Sequence, residues 1–252
     1  MPRYKLTVAY EGTDFHGWQK QEPRDRPPLR TVQGVLERIV SEVVREPILL
    51  TGASRTDSGV HAVGQVAAFT TTRDIPLDRL PRAITARCPG DLQVLRADLV
   101  DESFDPISDA RRKKYGYVIQ HGRSLPPLFD RRTIWRTHHE LDHHLMNKAA
   151  QLLIGSHDFE AFANASHGRD STIREIHSCE VLSIAENQLR MEVVGNGFLY
   201  NMVRIIAGSL LEIGRGARSP ESIEQALQRQ DRRLTGPTLG PEGLRLEWIE
   251  YL

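Results

Sequence analysis

Residues 52–69 concentrate polar side chains that could do chemistry. They read GASRTDSGVHAVGQVAAF and place an arginine, an aspartate and a histidine among glycines. The apolar residues 48–50 come before them, and Val66 and Ala68 begin an alternating pattern, so two strands joined by a polar loop are predicted. A loop between strands can present Asp57 to a ligand. An aspartate followed by Ser-Gly is also an ordinary turn, because aspartate bonds to nearby backbone and glycine tolerates a positive φ.

The elements around this loop follow from the spacing of apolar residues. Side chains alternate over residues 4–10, which predicts a half-buried strand. Thr31 can cap a helix whose apolar residues recur by threes and fours as far as Val43. A second helix near 77–87 and a strand over 92–99 complete the order strand, helix, strand, strand, helix, strand.

The second half repeats that order. A strand is predicted through Tyr115, Tyr117 and Ile119, followed by a helix that Asp142 caps. Strands are predicted over 173–184 and 189–194, followed by an apolar helix over 198–213 that stops at the glycines 214 and 216. A further helix is predicted from Ser219 and Pro220 to Arg229. Alternation then predicts a last strand with Leu244, Leu246, Trp248 and Leu252.

This repetition predicts an α+β fold with two ferredoxin-like β-α-β-β-α-β halves that form an extended, mostly antiparallel sheet. The expected domains are 1–103, which carries the Asp57 loop, and 104–252, which contributes Tyr115 and Arg204 to the cleft. Residues 104–110 are the expected connection.

Composition limits the class of protein. Of 252 residues, 26% are charged and 39% hydrophobic, and no apolar run approaches the ~20 residues that span a bilayer, so a soluble cytoplasmic enzyme is expected. Two cysteines are too few for a disulfide framework or a cysteine-based metal site. The 33 basic and 33 acidic residues balance, which argues against nucleic acid, although basic runs at 111–114 and 131–136 allow a local patch.

Residues 55–62, RTDSGVHA, followed by GQV at 64–66, resemble the signature of the TruA family of tRNA pseudouridine synthases. The resemblance continues through EGTDFHGWQ at 11–19, NGFLYNMVR at 196–204 and EGL at 242–244. It implies the pseudouridine synthase fold and a homodimer that isomerises uridines 38–40 in the anticodon stem-loop of tRNA. That reaction oxidises nothing and adds nothing, so no cofactor or metal is expected.

The resemblance also assigns roles to four residues. Asp57 matches the catalytic aspartate, whose carboxylate can stabilise or attack the positive charge that develops when the bond to ribose C1′ breaks. Tyr115 falls on the active-site tyrosine that packs against the base, and Arg55 is expected near the flipped nucleotide. Arg204 interrupts an apolar helix, and the family pairs it with Asp57.

The residues by themselves allow other interpretations of these positions. Tyr115 could be a core aromatic and Arg55 an exposed loop arginine. Arg204 shares a helix face with residues 201, 208 and 212, and that face could be solvated. His61 could be a general base, although local hydrogen bonding is favoured.

Two other functions compete with the isomerase. Residues 139–143 read HELDH, which matches the zinc-hydrolase pattern H-E-x-x-H. If Asp142 caps the following helix, His139 falls outside it, and no third ligand is evident, so zinc is disfavoured. The other rival is an RNA-binding module without catalysis, in which Tyr115 and Tyr117 act as stacking platforms.

Overall fold

A computed structural model describes residues 1–23, 25, 27–164 and 170–251. The chain divides into two compact units, which are described separately. Unit 1 comprises Met1–Arg111 and Leu246–Leu252, and unit 2 comprises Arg112–Arg245. Leu252, which was predicted to end the last strand, lies outside the described residues.

Unit 1 has the ferredoxin-like succession that the sequence predicts. Its strands are antiparallel in the order β4-β1-β3-β2. The elements are β1 (Arg3–Tyr10), α1 (Val32–Val44), β2 (Thr51–Gly52), β3 (His61–Thr70), α2 (Leu80–Thr85) and β4 (Leu92–Val100), with a 3-10 turn at Gly12–Asp14.

The core of unit 1 follows from side-chain periodicity. Alternate residues of β1 are buried, namely Tyr4, Leu6, Val8 and Tyr10. The apolar stripe of α1 is buried as well, and the Thr31 hydroxyl caps this helix by accepting a hydrogen bond from the Gly34 N–H at 3.3 Å. The predicted strand and helix are therefore confirmed.

Unit 2 adds elements to the predicted succession. Its sheet has the antiparallel order β5-β9-β8-β7, and β6 pairs in parallel with the end of β5. The elements are β5 (Arg112–Gln120), β6 (Trp135–Arg136), α3 (His143–Gln151), β7 (Gly155–Asp158), β8 (Ile173–Ala185), β9 (Gln188–Gly195), α4 (Met202–Gly214), α5 (Ser222–Arg229) and β10 (Leu244–Glu250). From Leu246 onward β10 belongs to unit 1, where it neighbours β3. The α+β class with mostly antiparallel pairing is confirmed, and the helix predicted to reach Arg229 is present as α5. The strands β6 and β7 were not predicted.

Four predicted boundaries are wrong. The helix predicted near 77–87 covers only Leu80–Thr85. Residues 48–50 are not a strand, and Leu49 is 86% exposed, so only Thr51–Gly52 pairs with β3. The helix predicted from residue 198 begins at Met202, because Asn201 adopts a left-handed φ of 61°. The helix predicted from Ser219 begins at Ser222, since residues 219–222 form a turn in which the Ser222 N–H bonds to the Ser219 carbonyl.

No helix in the described part of the chain is both long and apolar enough to cross a membrane.

Candidate active site

Asp57 begins a tight turn in unit 1. The Val60 N–H donates to the Asp57 carbonyl at 3.2 Å, and Gly59 takes the positive φ of 81° that such a turn requires. The Asp57 side chain is half-buried. The ordinary turn predicted from Asp-Ser-Gly is therefore present, and it is compatible with a functional carboxylate at its first position.

The segment that follows β1 holds this turn in place. The Trp18 backbone N–H donates to the Thr56 carbonyl at 3.0 Å. The Phe15 carbonyl accepts two bonds at 3.2 Å, one from the Gly59 N–H and one from the Ser58 hydroxyl. The motif at 11–19 thus supports the backbone on both sides of Asp57. This contact explains in structural terms why the two motifs, although distant in sequence, occur in the same protein.

A buried polar group lies beneath the turn. The Tyr10 hydroxyl is 2.7 Å from the Thr56 Oγ1, and Gln65, which has no exposed surface, bonds to the backbone of Ser54. Sequence reasoning missed these contacts. The available signal was Gln65 itself, a polar residue among inward-facing apolar residues of β3.

His61 bonds to a segment distant in the sequence. Its Nδ1 accepts a hydrogen bond from the Gly12 N–H at 2.9 Å, and the side chain is 3% exposed. This contact ties the start of β3 to the segment after β1. His61 was expected to bond locally, but this partner lies 49 residues away along the chain, so the hydrogen bond depends on the tertiary structure.

The predicted site residues are divided evenly between the two units. Arg55 and Asp57 belong to unit 1, and Tyr115 and Arg204 belong to unit 2. Arg55 is exposed two residues before Asp57. Its exposure leaves the guanidinium accessible to a large anionic ligand.

Tyr115 lies in β5, opposite Val193 of β9. Its side chain is 6% exposed, and its ring meets the Phe198 ring edge-on with centroids 5.2 Å apart. Phe198 belongs to the motif at 196–204, so the fold brings that motif against the predicted tyrosine. The packing also fixes the ring orientation of Tyr115.

Arg204 lies in the first turn of α4. Its Nε donates to the Leu239 carbonyl at 2.7 Å, and its Nη1 donates to the Asn201 Oδ1 at 2.8 Å. One turn further along, a Cβ on Gly208 would stand 1.9 Å from the Pro237 carbonyl oxygen, so the backbone of residue 237 covers the helix there. The solvated-face interpretation of Arg204 is therefore wrong.

Tyr117 is a core residue. It has no exposed surface, and its hydroxyl donates to the Gly240 carbonyl at 2.7 Å. Burial, together with the charge of Glu242, raises the pKa of this phenol well above its usual value. A ring enclosed in this way cannot stack on a base, which removes half of the platform that the binding-module alternative requires.

The H-E-x-x-H pattern does not assemble on a helix. Asp142 caps α3 by accepting a hydrogen bond from the Leu145 N–H at 3.0 Å, as predicted, and His139 lies before the helix. Among the residues that the structure describes, no three His, Cys, Asp or Glu side chains group in a way that could hold a metal ion.

Known proteins match nearly the whole chain. The family model described as tRNA pseudouridine synthase matches residues 6–106 and 149–251. A protein named tRNA pseudouridine synthase A from Thermoanaerobacter sp. (strain X514) is 40% identical over 253 residues, covering 100% of both chains. The namesake from Myxococcus xanthus is 39% identical, covering 100% of this chain and 92% of its own. A solved chain titled as the structure of an H/ACA RNP bound to a substrate RNA containing 2′-deoxyuridine has a TM-score of 0.39 at 12% identity, covering 95% of this chain and 46% of that one.

The family model and the curated relatives define one class of enzyme, the pseudouridine synthases, which are isomerases. The chain belongs to the TruA family of tRNA pseudouridine synthases. The predicted family is thereby confirmed.

Proposed function

We propose that this protein converts uridine to pseudouridine at positions 38–40 in the anticodon stem-loop of tRNA, with Asp57 as the catalytic carboxylate. The observation that carries the proposal is the half-buried Asp57 at the head of a braced turn, in a chain whose full length matches tRNA pseudouridine synthases. The target positions rest on the family resemblance of residues 55–66.

The reaction needs few groups. The bond between uracil N1 and ribose C1′ breaks, the base turns, C5 joins C1′, and the proton on C5 leaves while N1 gains one. A carboxylate beside C1′ stabilises the positive charge that develops there or attacks it to form a covalent intermediate. Both roles require an ionised Asp57. In this proposal the Arg204 guanidinium keeps it ionised and oriented.

The remaining roles concern the nucleotide. A uridine in a stem must leave its stack before Asp57 can reach it. We assign Tyr115 to contact with the uracil ring and to proton removal from C5, and the exposed Arg55 to the backbone near the flipped nucleotide. We also propose that the protein acts in the cytoplasm as a homodimer. Since the chain has no net charge, a dimer would let two copies combine their basic residues around one tRNA.

Tritium release tests the proposal. Unmodified tRNA carrying tritium at uracil C5 is incubated with the wild type, Asp57→Ala and Asp57→Asn, with a chelator present. Of these three proteins, only the wild type is expected to release tritium, because both substitutions remove the anionic oxygen while Asp57→Asn keeps the shape. Asp78→Ala is the matched control, since Asp78 is an exposed carboxylate of unit 1, and it should match the wild type.

Each other outcome contradicts part of the proposal. Equal release from Asp57→Ala would remove Asp57 from the chemistry. RNA binding without release from any tRNA would support the binding module instead. Release confined to uridines outside positions 38–40 would overturn the target assignment.

A further inference from the structure

We propose that Tyr10, Thr56 and Gln65 are positioning residues that fix the Asp57 carboxylate for catalysis. The inference rests on the proposed function, because it assumes that Asp57 is the catalytic group. These three residues and Asp57 all lie in unit 1, and the three supporting side chains are buried.

Gln65 holds the chain three residues before Asp57. Its Nε2 donates to the Ser54 carbonyl at 2.6 Å, and its Oε1 accepts from the Ser54 N–H at 3.3 Å. The same oxygen accepts from the Val66 N–H at 3.1 Å. The amide thus bonds to both backbone groups of Ser54 and continues the pairing beyond Gly52, where β2 ends.

Tyr10 reaches the residue directly before Asp57. Its hydroxyl lies 2.7 Å from the Thr56 Oγ1 and 3.5 Å from the Gln65 Nε2, so the three side chains form one connected group. The Tyr10 ring is 4% exposed and packs near the rings of Phe15 and Trp18, at centroid distances of 6.4 and 6.2 Å. This packing leaves the hydroxyl little freedom to move away from Thr56.

These bonds restrict the backbone on the N-terminal side of Asp57. Thr56 is held by its hydroxyl through Tyr10 and by its carbonyl through the Trp18 backbone N–H. Hydrogen bonds in a buried group reinforce one another, and leaving one partner unpaired is costly. Displacing a catalytic group by about 1 Å can cost about 10²-fold in rate. Loss of the Tyr10 hydroxyl should therefore slow the chemical step while substrate binding persists.

The first test compares two tyrosines of β1. Tyr10→Phe removes the hydroxyl that meets Thr56 and keeps the ring. Tyr4→Phe is the matched control, because the Tyr4 hydroxyl is also buried and accepts from the Ile75 N–H at 2.8 Å, far along the chain from the turn. The readouts are kcat and KM for tritium release, the single-turnover rate with enzyme in excess, and Tm. We expect Tyr10→Phe to lower kcat and the single-turnover rate by about tenfold or more, with KM within about twofold of the wild-type value.

The second test examines the other end of the contact. Thr56→Ser keeps the hydroxyl and should retain activity within about threefold, whereas Thr56→Val removes it at nearly constant volume and should resemble Tyr10→Phe. The double variant Tyr10→Phe/Thr56→Val should be no slower than the worse single variant, because both substitutions break the same bond. Gln65→Leu should reduce kcat as well and is judged only if its Tm shows a folded protein.

Two outcomes would overturn the inference. If Tyr10→Phe and Tyr4→Phe lower Tm alike and both keep the wild-type kcat, the hydroxyl stabilises the fold without positioning Asp57. If the losses from Tyr10→Phe and Thr56→Val multiply in the double variant, the two hydroxyls act separately. Failure of the proposed function itself is distinct, because the wild type would then release no tritium.

Discussion

The indole of Trp18 occupies the space where a Cβ on Gly52 would stand, since that atom would lie 2.2 Å from the indole Nε1 and Cε2. Trp18 is 1% exposed and its backbone N–H bonds to the Thr56 carbonyl, so the ring cannot shift without disturbing the turn that carries Asp57. This contact joins the motif at 11–19 to the strand before the turn that carries Asp57.

Gly52→Ala should therefore destabilise unit 1. Because the added methyl group must displace a packed indole, we expect a loss of about 1–3 kcal/mol in the free energy of unfolding, measured with urea. Gly90→Ala is the matched control, as nothing lies within 4 Å of its Cβ position. A Gly52→Ala protein as stable as Gly90→Ala would contradict the packing.

Arg204→Lys should cost stability although it keeps the charge. Lysine cannot donate from one planar group to both the Leu239 carbonyl and the Asn201 Oδ1, so one acceptor loses its partner. The expected loss is about 1–3 kcal/mol in urea unfolding. Arg215→Lys, at the other end of α4, is the control because Arg215 pairs with Glu212 nearer the surface. Equal losses in the two variants would show that the directed bonds of Arg204 are unimportant.

The Cys179 thiol should make the protein less stable in alkali. Burial raises the pKa of Cys179 from 9.0 to about 12, so the folded state keeps its proton while the unfolded chain loses it. A raised folded-state pKa contributes stability that is complete below pH 9 and is lost as the pH rises towards 12. When the pH is raised from 8.5 to 10.5, the unfolding free energy of the wild type should fall by about 2 kcal/mol more than that of Cys179→Ala.

Urea titrations at the two pH values measure this difference. The control is Val181→Ala, a buried substitution in the same strand that removes no titrating group. Cys88→Ala should reduce the pH dependence nearly as much as Cys179→Ala, because burial also raises the Cys88 pKa, to about 11. Identical pH slopes for the wild type and Cys179→Ala would refute the assignment of the slope to Cys179.

Asp142→Ala should remove the cap of α3. The Leu145 N–H would lose its side-chain acceptor, at an expected cost of about 1 kcal/mol in thermal unfolding. Asp142→Asn retains an acceptor oxygen and should cost much less. If the two variants melt at the same temperature, the capping bond contributes little.

The sequence by itself determined the local elements of this protein and its family. The alternation of β1, the apolar stripe of α1 and the caps at Thr31 and Asp142 depend on neighbours within a few residues, so their spacing along the chain is sufficient to predict them. The motif around Asp57 is equally local, because it is a run of residue types in a fixed order.

The tertiary structure decided what surrounds those elements. The contact of Tyr10 with Thr56 spans 46 residues and that of Arg204 with Leu239 spans 35, and no local spacing encodes either one. The helix predicted from residue 198 starts at Met202 because Asn201 is left-handed, with its side-chain oxygen bound by Arg204. Such contacts form only when distant segments pack together, since a buried polar group must then find whichever partner the fold brings within hydrogen-bonding distance.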